Sequence, residues 1–475
     1  MTTTRVSTAT DGTQGVADSQ TAIAGLQVSA DGRYVVFQSL ATNLVAGDTN
    51  AEQDVFVKDT LTGTVTRVST DSTGAQGVGG ASTNASISAD GRYVAFASSA
   101  TNLVAGDINS RQDIFLKDLR TGTTTLVSTD STGALANNAS AIAAISADGT
   151  RVAFQSTASN LVDGDTNGTT DVFVKDLGTG TTTRVSTDSA GAQGRGPSTA
   201  ASISADGTRV AFVSTSNNLV TGDTNGLQDI FVKDLGTGTT TRVSTDSTGA
   251  QSTGGGSLAP SISADGTRVA FQSLATNLVT GDTNGATDVF VKDLSTGAIT
   301  RVSTDSTGAQ AAAGGGSTGA SISADGTRVA FQSTATNLVA SDTNGQQDIF
   351  VKDLGTGSTT RVSTDSAGAQ ATGGSSTGAS ISGDGTRVAF QSGAPDLVAG
   401  DTNGAIDVFL VDVACYVTGT RIRTEHGEVA VENLRVGDRV LTAAGQHRPI
   451  RWIGSRAMAP RRHPRPGQAQ PVRIR

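Results

Sequence analysis

The chain has 475 residues, of which 16% are charged, 4% are aromatic and 59 are glycine. This length exceeds one ordinary core, so either several domains or a repeat architecture is expected. Glutamate is rare, and no long run repeats apolar residues at a helical period. The composition, rich in Ser, Thr, Gly and Asp, therefore favours short strands joined by turns over helices.

Charge divides the chain near residue 414. The net charge is −9, but residues 415–475 carry twelve Arg against four acidic residues, whereas residues 1–414 carry 22 basic and 39 acidic side chains. Such a shift predicts a domain boundary. The acidic body argues against a nucleic-acid partner, because phosphate binding needs clusters of Lys and Arg.

The sequence does not identify the compartment of the protein. The N-terminus, MTTTRVSTATDG, has no signal-peptide pattern, and no apolar run reaches membrane-spanning length. We therefore expect no membrane span, and any export would use a route without an N-terminal signal. The single cysteine excludes an intrachain disulfide framework. The protein is expected to be a monomer.

One phrase, S-x-D-G-[RT]-x-V-x-F, recurs seven times at spacings of 58 to 60 residues. Its aspartates are Asp31, Asp90, Asp148, Asp206, Asp265, Asp325 and Asp384. Each unit contains four stretches typical of strands, of the forms ASIS, TRVAFQS, DVFVKDL and TTTRVST, with Asp-Gly and Thr-Gly hairpin signals between them. Four antiparallel strands repeated seven times predict an all-β fold, a β-propeller of seven four-stranded blades.

The ring is predicted to close through the two ends of this region. The last third strand, DVFLVD at Asp407–Asp412, is followed by no fourth strand. The missing copy, TTTRVST, lies instead at Thr2–Thr8. An N-terminal strand that completes the last blade would remove the exposed edges of an open array. We therefore predict a closed seven-bladed propeller over residues 1–413.

The units resemble the WD-like propeller repeats of the TolB type. Phrases of the forms S-P-D-G-x-x-I-A-F and D-I-Y-V-x-D mark those repeats, and the corresponding phrases here are SADGTRVAF and DVFVKD. The resemblance implies the fold and not the ligand, because such propellers serve both as binding scaffolds and as enzymes.

The loop between the second and third strands carries an acidic phrase, D-T-N-G-x-x-D in its commonest form, in all seven units. Oxygens at alternate positions of a glycine turn suit a hard cation, and the phrase looks like a shortened calcium loop of integrin-type propellers. The alternative is an Asx turn, in which Asp and Asn side chains satisfy backbone groups of the loop. The candidate calcium ligands are Asp48, Asn50, Asp54, Asp107, Asn109, Asp113, Asp165, Asn167, Asp171, Asp223, Asn225, Asp229, Asp282, Asn284, Asp288, Asp342, Asn344, Asp348, Asp401, Asn403 and Asp407.

Catalytic groups are scarce in the repeats. Residues 1–414 contain no His or Cys and one Glu, Glu52, which excludes Ser/His/Asp and Cys/His arrangements. Carboxylates that recur in register also do not provide the two different environments that an acid/base pair needs. We interpret the propeller as a binding scaffold for a protein or glycan ligand on one face, without a hydrolase site of its own.

A second resemblance begins at the only cysteine. Cys415–Gly454 contains GTRI, VENLRVGD, VLT and IRWIG, and resembles the opening of a Hint domain, the Hedgehog/intein fold, as found at the C-termini of bacterial proteins. The alternating stretches TRIRT, EVAVE, DRVLT and PIRWI independently predict strands. We expect the N-terminal half of an all-β Hint domain over residues 414–454 and a disordered Pro/Arg-rich tail over residues 455–475.

The Hint resemblance implies that Cys415 is a nucleophile. Its sulfur would attack the carbonyl carbon of Ala414, and water or another nucleophile would open the thioester. The family's activating Thr-x-x-His phrase does not occur in residues 415–475, where His426, His447 and His463 lie in other contexts. We therefore expect a binding propeller with a truncated, inactive Hint segment. The alternative is a self-processing protein that releases the propeller at this peptide bond.

Overall fold

The chain consists of β-strands joined by turns. The structure, a computed structural model, describes residues 1–21, 27–413, 421–425, 427–430, 439–441 and 447–449. These residues contain no helix, and hence none that could cross a membrane. The chain divides into two compact units, residues 2–411 and residues 412–475. The prediction of an all-β fold is confirmed.

The first unit is a set of seven four-stranded antiparallel sheets, which we number blades I to VII. Blades I to III are formed by β2 (Ser19–Gln20), β3 (Tyr34–Ser39), β4 (Asp54–Asp59) and β5 (Val65–Arg67); β6 (Ser82–Ile87), β7 (Tyr93–Ser98), β8 (Asp113–Asp118) and β9 (Thr124–Leu126); and β10 (Ser140–Ile145), β11 (Arg151–Ser156), β12 (Asp171–Asp176) and β13 (Thr182–Arg184). Blades IV to VI are formed by β14 (Ser198–Ile203), β15 (Arg209–Ser214), β16 (Asp229–Asp234) and β17 (Thr240–Arg242); β18 (Ser257–Ile262), β19 (Arg268–Ser273), β20 (Asp288–Asp293) and β21 (Ile299–Arg301); and β22 (Ser317–Ile322), β23 (Arg328–Ser333), β24 (Asp348–Asp353) and β25 (Thr359–Arg361). Blade VII combines β26 (Ser376–Ile381), β27 (Arg387–Ser392) and β28 (Asp407–Asp412) with β1 (Thr3–Arg5).

Blade VII is completed by the N-terminal strand, as the sequence predicts. β1 lies antiparallel to β28, with Thr3 opposite Val411 and Arg5 opposite Phe409. The contact extends beyond β1, where the backbone N–H of Val6 donates to Val408 O at 2.7 Å. The first strand of the chain thus covers the edge that blade VII would otherwise expose.

Phenylalanines on the two middle strands of each blade form the core. In blade III, Phe154 is opposite Phe173, and their ring centroids are 5.9 Å apart. The seven such pairs have separations of 5.7 to 6.0 Å. The apolar clusters combine side chains of neighbouring blades, such as Val57 of blade I and Phe96 of blade II. Each blade therefore needs its neighbours to bury its apolar faces.

A ring of backbone hydrogen bonds joins the first hairpin turns of all blades. The N–H of Ala30 donates to Ala89 O at 3.0 Å, and an equivalent bond links each blade to the next. The ring closes where the N–H of Asp384 in blade VII donates to Ala30 O in blade I at 2.9 Å. Blades VII and I are therefore joined by a similar bond, whose donor lies one residue further along the turn than in the other blades.

A buried lysine on the third strand fastens six of the blades to the preceding one. Lys175 donates from Nζ to Thr129 O at 3.3 Å, to Thr129 Oγ1 at 2.9 Å and to Asp130 O at 2.7 Å. Burial lowers the pKa of Lys175, and the charge of Asp130 opposes that shift. Blade VII has Val411 at this position, and Oγ1 of the corresponding Thr364 is buried without a hydrogen-bond partner.

The second unit is described in four short strands. They are β29 (Arg421–Thr424), β30 (Gly427–Ala430), β31 (Arg439–Leu441) and β32 (His447–Pro449), in the sheet order β30-β29-β31-β32. β29 and β31 lie within the stretches TRIRT and DRVLT, and β30 overlaps EVAVE. The fourth begins before PIRWI, most of which lies outside the described residues, as does the tail predicted to be disordered.

Replacing Lys175 by Met is expected to destabilise the propeller by about 1–3 kcal/mol, because Thr129 Oγ1 and Asp130 O lose the donor that Lys175 provides. Urea denaturation followed by circular dichroism measures the loss. The reverse change, Val411→Lys, gives Thr364 Oγ1 a donor and is expected to maintain or raise stability. Equal losses in the two variants would contradict this role of the lysine.

Candidate functional site

The acidic phrase of each unit folds into a compact loop that precedes the third strand. In blade I, Asp54 is 1% exposed, and its Oδ1 accepts a hydrogen bond from Ser69 Oγ at 2.5 Å. Asn50 Nδ2 donates to Asp54 Oδ2 at 3.3 Å and to Gly77 O at 3.1 Å. Asn50 Oδ1 accepts the backbone N–H of Glu52 at 3.1 Å. The asparagine thus forms the Asx turn that was the alternative to a metal ligand.

An arginine from the fourth strand lies between the two carboxylates of this loop. Arg67 Nη1 is 3.3 Å from Asp48 Oδ1 and 3.5 Å from Asp54 Oδ2. The same nitrogen donates to Gln76 Oε1 at 2.8 Å, and Nη2 donates to Gly47 O at 3.3 Å. One guanidinium therefore compensates two carboxylates whose side chains are almost completely buried.

The same arrangement recurs in five further blades. In each of them, one guanidinium lies within 4.0 Å of both aspartates of the loop, and the arginine side chain is at most 11% exposed. The groups are Arg5 with Asp401 and Asp407, Arg184 with Asp165 and Asp171, Arg242 with Asp223 and Asp229, Arg301 with Asp282 and Asp288, and Arg361 with Asp342 and Asp348. In six of the seven predicted cation loops, the protein itself supplies the positive charge.

Burial and the arginine have opposite effects on the carboxylates. Burial raises the pKa of Asp48 and of Asp54 above the ordinary aspartate value, and the charge of Arg67 lowers both. In blade III, burial likewise raises the pKa of Asp165, and Arg184 opposes it. The arginine therefore favours the ionised form that burial disfavours.

Blade II departs from this arrangement. Leu126 replaces the arginine, and Leu135 replaces the glutamine that contacts the arginine in blade I. Asp113 still accepts a hydrogen bond from Asn109 Nδ2 at 2.7 Å, whereas Asp107 has no basic partner among the described residues. In the described part of the chain, no three His, Cys, Asp or Glu side chains are grouped to share a metal. Calcium binding by these loops stays a prediction.

Sequence reasoning missed the arginine that pairs with the two carboxylates of this loop. Its recurrence in the fourth strand marks the repeat, in six units as Arg and in one as Leu126. The same six units carry Gln nine residues after the arginine, and the exceptional unit carries Leu135 there. The two positions thus change together, and this sign of contact between them is present in the sequence itself.

A second candidate site is a groove of about 610 Å³ between blades I and II, on the side of the first hairpin turns. Its lining includes Tyr34, Thr64 and Thr66 of blade I, and Asp90 and Arg120 of blade II. The Tyr34 ring lies beneath the guanidinium of the preceding arginine, 4.8 Å from centroid to Cζ. The groove combines an aromatic ring with hydroxyl, carboxylate and guanidinium groups.

The corresponding junctions of blades III to VII are bridged. There an arginine replaces Tyr34, and its guanidinium crosses to the glycine carbonyl of the next blade's hairpin turn. Arg151 Nη1, for example, donates to Gly207 O at 3.1 Å, and Arg387 Nη1 donates to Gly32 O at 3.0 Å. In blades I and II the position holds tyrosine, which does not make this bond.

The predicted nucleophile Cys415 and the carbonyl of Ala414 lie outside the described residues, as do His426 and His463. The structure therefore neither brings these groups together nor separates them. What it describes is the end of the propeller, where β28 finishes at Asp412.

Comparisons with known proteins agree with both units. The family model of the Hint domain matches residues 414–475. An oligogalacturonate lyase in complex with manganese is 14% identical, with 86% of this chain and 93% of that chain covered and a TM-score of 0.52. An oligogalacturonate lyase from Vibrio parahaemolyticus has the same identity and coverage and a TM-score of 0.51. TolB from Acinetobacter baumannii is 18% identical over 65% of this chain and 58% of that chain, with a TM-score of 0.37. Among curated proteins, none matches.

The fold and these comparisons define the class of protein. The chain is a seven-bladed β-propeller, followed by a segment that matches the Hint domain, as the sequence predicts. At these identities the similarity to solved structures concerns the fold alone, because one fold hosts many activities.

Replacing Arg184 by Met is expected to make stability decline as pH rises. Without the guanidinium, burial and mutual repulsion hold the pKa of Asp165 and Asp171 above the unfolded value, so the folded state binds more protons than the unfolded state. Stability relative to the parent protein should therefore fall from about pH 4, the ordinary aspartate range, to about pH 7. Urea denaturation across this range measures it. Leu126→Met is the control without a pH effect, and parallel curves for R184M and the parent protein would contradict the account.

Proposed function

We propose that the propeller is a binding module and that its ligand contacts the groove between blades I and II. The observation that supports this is the departure of these two blades from the repeat. Five junctions are bridged by an arginine, as where Arg209 Nη1 donates to Gly266 O at 3.1 Å. Tyr34 and Tyr93 leave the two remaining junctions unbridged, and the groove lies beside Tyr34. The rest of the propeller then serves as a rigid scaffold for this site.

A glycan is the ligand class that the groove suits best. The part of the Tyr34 ring that lines the groove, beside the Arg33 guanidinium, offers an apolar surface to the C–H groups of a sugar. The hydroxyl of Thr66, the carboxylate of Asp90 and the guanidinium of Arg120 offer hydrogen bonds to its hydroxyl groups. Arg120 is exposed and stands at a turn position where blades III and IV carry Gly178 and Gly236. A protein ligand is the alternative.

Binding fits these groups better than catalysis does. Asp59, the other carboxylate of the groove, accepts hydrogen bonds from Arg33 Nε and Nη2 at 2.9 and 2.6 Å. This pairing holds the pKa of Asp59 well below its usual range, so the group is a poor proton donor or acceptor near neutrality. Residues 1–414 also lack His and Cys. The groove therefore has hydrogen-bonding groups without an evident acid/base pair.

Tyr34→Arg copies the residue of blades III to VII and is expected to reach Gly91 O and fill the groove. Glycan affinity should fall roughly tenfold or more, equivalent to about 1.4 kcal/mol. A glycan array followed by titration calorimetry measures it, and Tyr34→Phe, which keeps the ring, should retain most of the affinity. Glycan binding that Y34R leaves unchanged rejects the groove. Absence of glycan binding, with a protein partner that Y34R releases, assigns the ligand to the protein class.

For the C-terminal segment, we propose that it stays attached to the propeller. Residues 415–475 contain no Thr-x-x-His phrase, so the Ala414–Cys415 peptide bond has no histidine in the context that would polarise it. We therefore expect no group within residues 415–475 to activate this amide for attack by the Cys415 thiol.

Self-release is the second candidate, and one observation favours it. The last strand of the propeller, β28, ends at Asp412, and the Hint match begins at residue 414. A cut at Ala414–Cys415 would leave all seven blades intact. In this reaction Cys415 Sγ attacks the Ala414 carbonyl carbon, the C–N bond breaks, and the Cys415 nitrogen takes up the thiol proton. Water then opens the thioester and leaves a carboxylate at Ala414.

Intact-mass measurement separates the two candidates. The purified protein is incubated with and without dithiothreitol, and we expect only the full-length mass because the amide is not activated. A fragment that ends at Ala414, present in the parent protein and lost in Cys415→Ala, would establish self-release. Cys415→Ser serves as the control, because its weaker nucleophile should slow any such reaction without changing the size of the side chain.

A further inference from the structure

Blade II buries two carboxylates without the arginine that accompanies them elsewhere. Asp107 is 8% exposed and Asp113 is fully buried. Leu126, at the arginine position, packs instead against the apolar core between blades I and II. Leu135 replaces the glutamine that accepts a hydrogen bond from the arginine in blade I. Arginine and glutamine are thus lost as a pair, while both aspartates remain.

The remaining groups keep the geometry of the other loops. Asp113 accepts hydrogen bonds from Asn109 Nδ2 at 2.7 Å and from Ser128 Oγ at 2.6 Å. No basic group and no side-chain donor in the described part of the chain reaches Asp107. Both carboxylates are thus buried, and neither has a basic partner among the described residues.

The six other loops indicate what this geometry accommodates. In them a guanidinium nitrogen lies 3.2–3.6 Å from the first aspartate and 3.5–4.0 Å from the second. In blades I, III, V and VI the other terminal nitrogen of the same guanidinium, Nη2, donates to the carbonyl that precedes the first aspartate, at 3.3–3.4 Å. In blade II that carbonyl belongs to Gly106. The guanidinium group therefore lies between the two aspartates in all six of these blades, and in four of them it also contacts the carbonyl.

We propose that blade II binds a divalent cation of the calcium type at the position that the guanidinium takes in the other blades. The carboxylates of Asp107 and Asp113 and the carbonyl of Gly106 are its protein ligands, and water completes the roughly six to eight oxygens of the calcium shell. Ile108, next to Asp107, is 83% exposed, so water reaches the tip of the loop. Of the seven loops, only that of blade II is then expected to bind calcium.

A proton shared by the two carboxylates is the competing explanation. Both oxygens of Asp113 already accept hydrogen bonds, from Ser128 Oγ and Asn109 Nδ2, and such bonds favour the ionised form. A proton on Asp113 would occupy an oxygen that these donors use. A cation leaves both bonds in place and compensates both charges, as the arginine does in blade I.

Titration calorimetry of the full chain with calcium tests the proposal. One calcium ion per chain is expected, with Kd on the order of 10⁻⁴ to 10⁻³ M because few protein oxygens are available. The variant Leu126→Arg with Leu135→Gln restores the pair found in blade I and is expected to abolish binding. The opposite variant, Arg67→Leu with Gln76→Leu, copies blade II into blade I and is expected to add a second site.

Thermal melting provides a second measurement and a check of folding. Calcium should raise the melting temperature of the parent protein and not that of the Leu126→Arg, Leu135→Gln variant. If the variant with two new leucines in blade I does not fold, the restored pair decides the matter alone. Absence of binding up to roughly 10 mM, about tenfold above the weak end of calcium sites, overturns the proposal. Binding that the restored pair leaves unchanged also overturns it.

Discussion

The pairing of the first strand with the last blade is the constraint on which the whole propeller depends. Each apolar cluster is shared between two blades, so a blade without a neighbour would leave phenylalanine and valine side chains in water. β1 completes blade VII at Val411 and Phe409. The first hairpin turn of blade VII then contacts that of blade I through the hydrogen bond from Asp384 N–H to Ala30 O. With that contact all seven blades have two neighbours, and the ring has no free end.

Within this closed ring the units solve the same problems in the same way. A buried lysine satisfies carbonyls of the preceding blade, and an arginine compensates two buried carboxylates. These groups are polar but structural, because each is engaged by a partner whose removal would leave a buried charge or acceptor alone. Distinct chemistry is therefore expected where a unit departs from the repeat. Tyr34, Leu126 and Val411 are such positions, and they lie at different junctions and loops of the ring.

Along the sequence, the last strand of the propeller ends just before the Hint match begins. β28 ends at Asp412, and none of the residues described after it belongs to a strand of blade VII. A repeat protein that ended with its own fourth strand would carry a following domain on an outer edge strand. Here the N-terminal strand takes that edge, which leaves the chain after β28 free to begin another domain. This arrangement suits a carried domain as well as a released one, since neither state removes a strand from the ring.

Much of the fold was predictable from the sequence, because turns and alternating strands are local signals repeated seven times. The number of blades, the Asp-Gly hairpins and the origin of the closing strand at Thr2–Thr8 all follow from spacing. The partners of the buried charges were not predictable in this way. Asp48 and Arg67 lie on different elements, and only the register of the strands brings them to 3.3 Å. The sequence by itself therefore determined the repeat and the residue types of the loop. The tertiary structure decided that an arginine lies beside both carboxylates in six of the seven loops, because burying a carboxylate without a positive partner is costly.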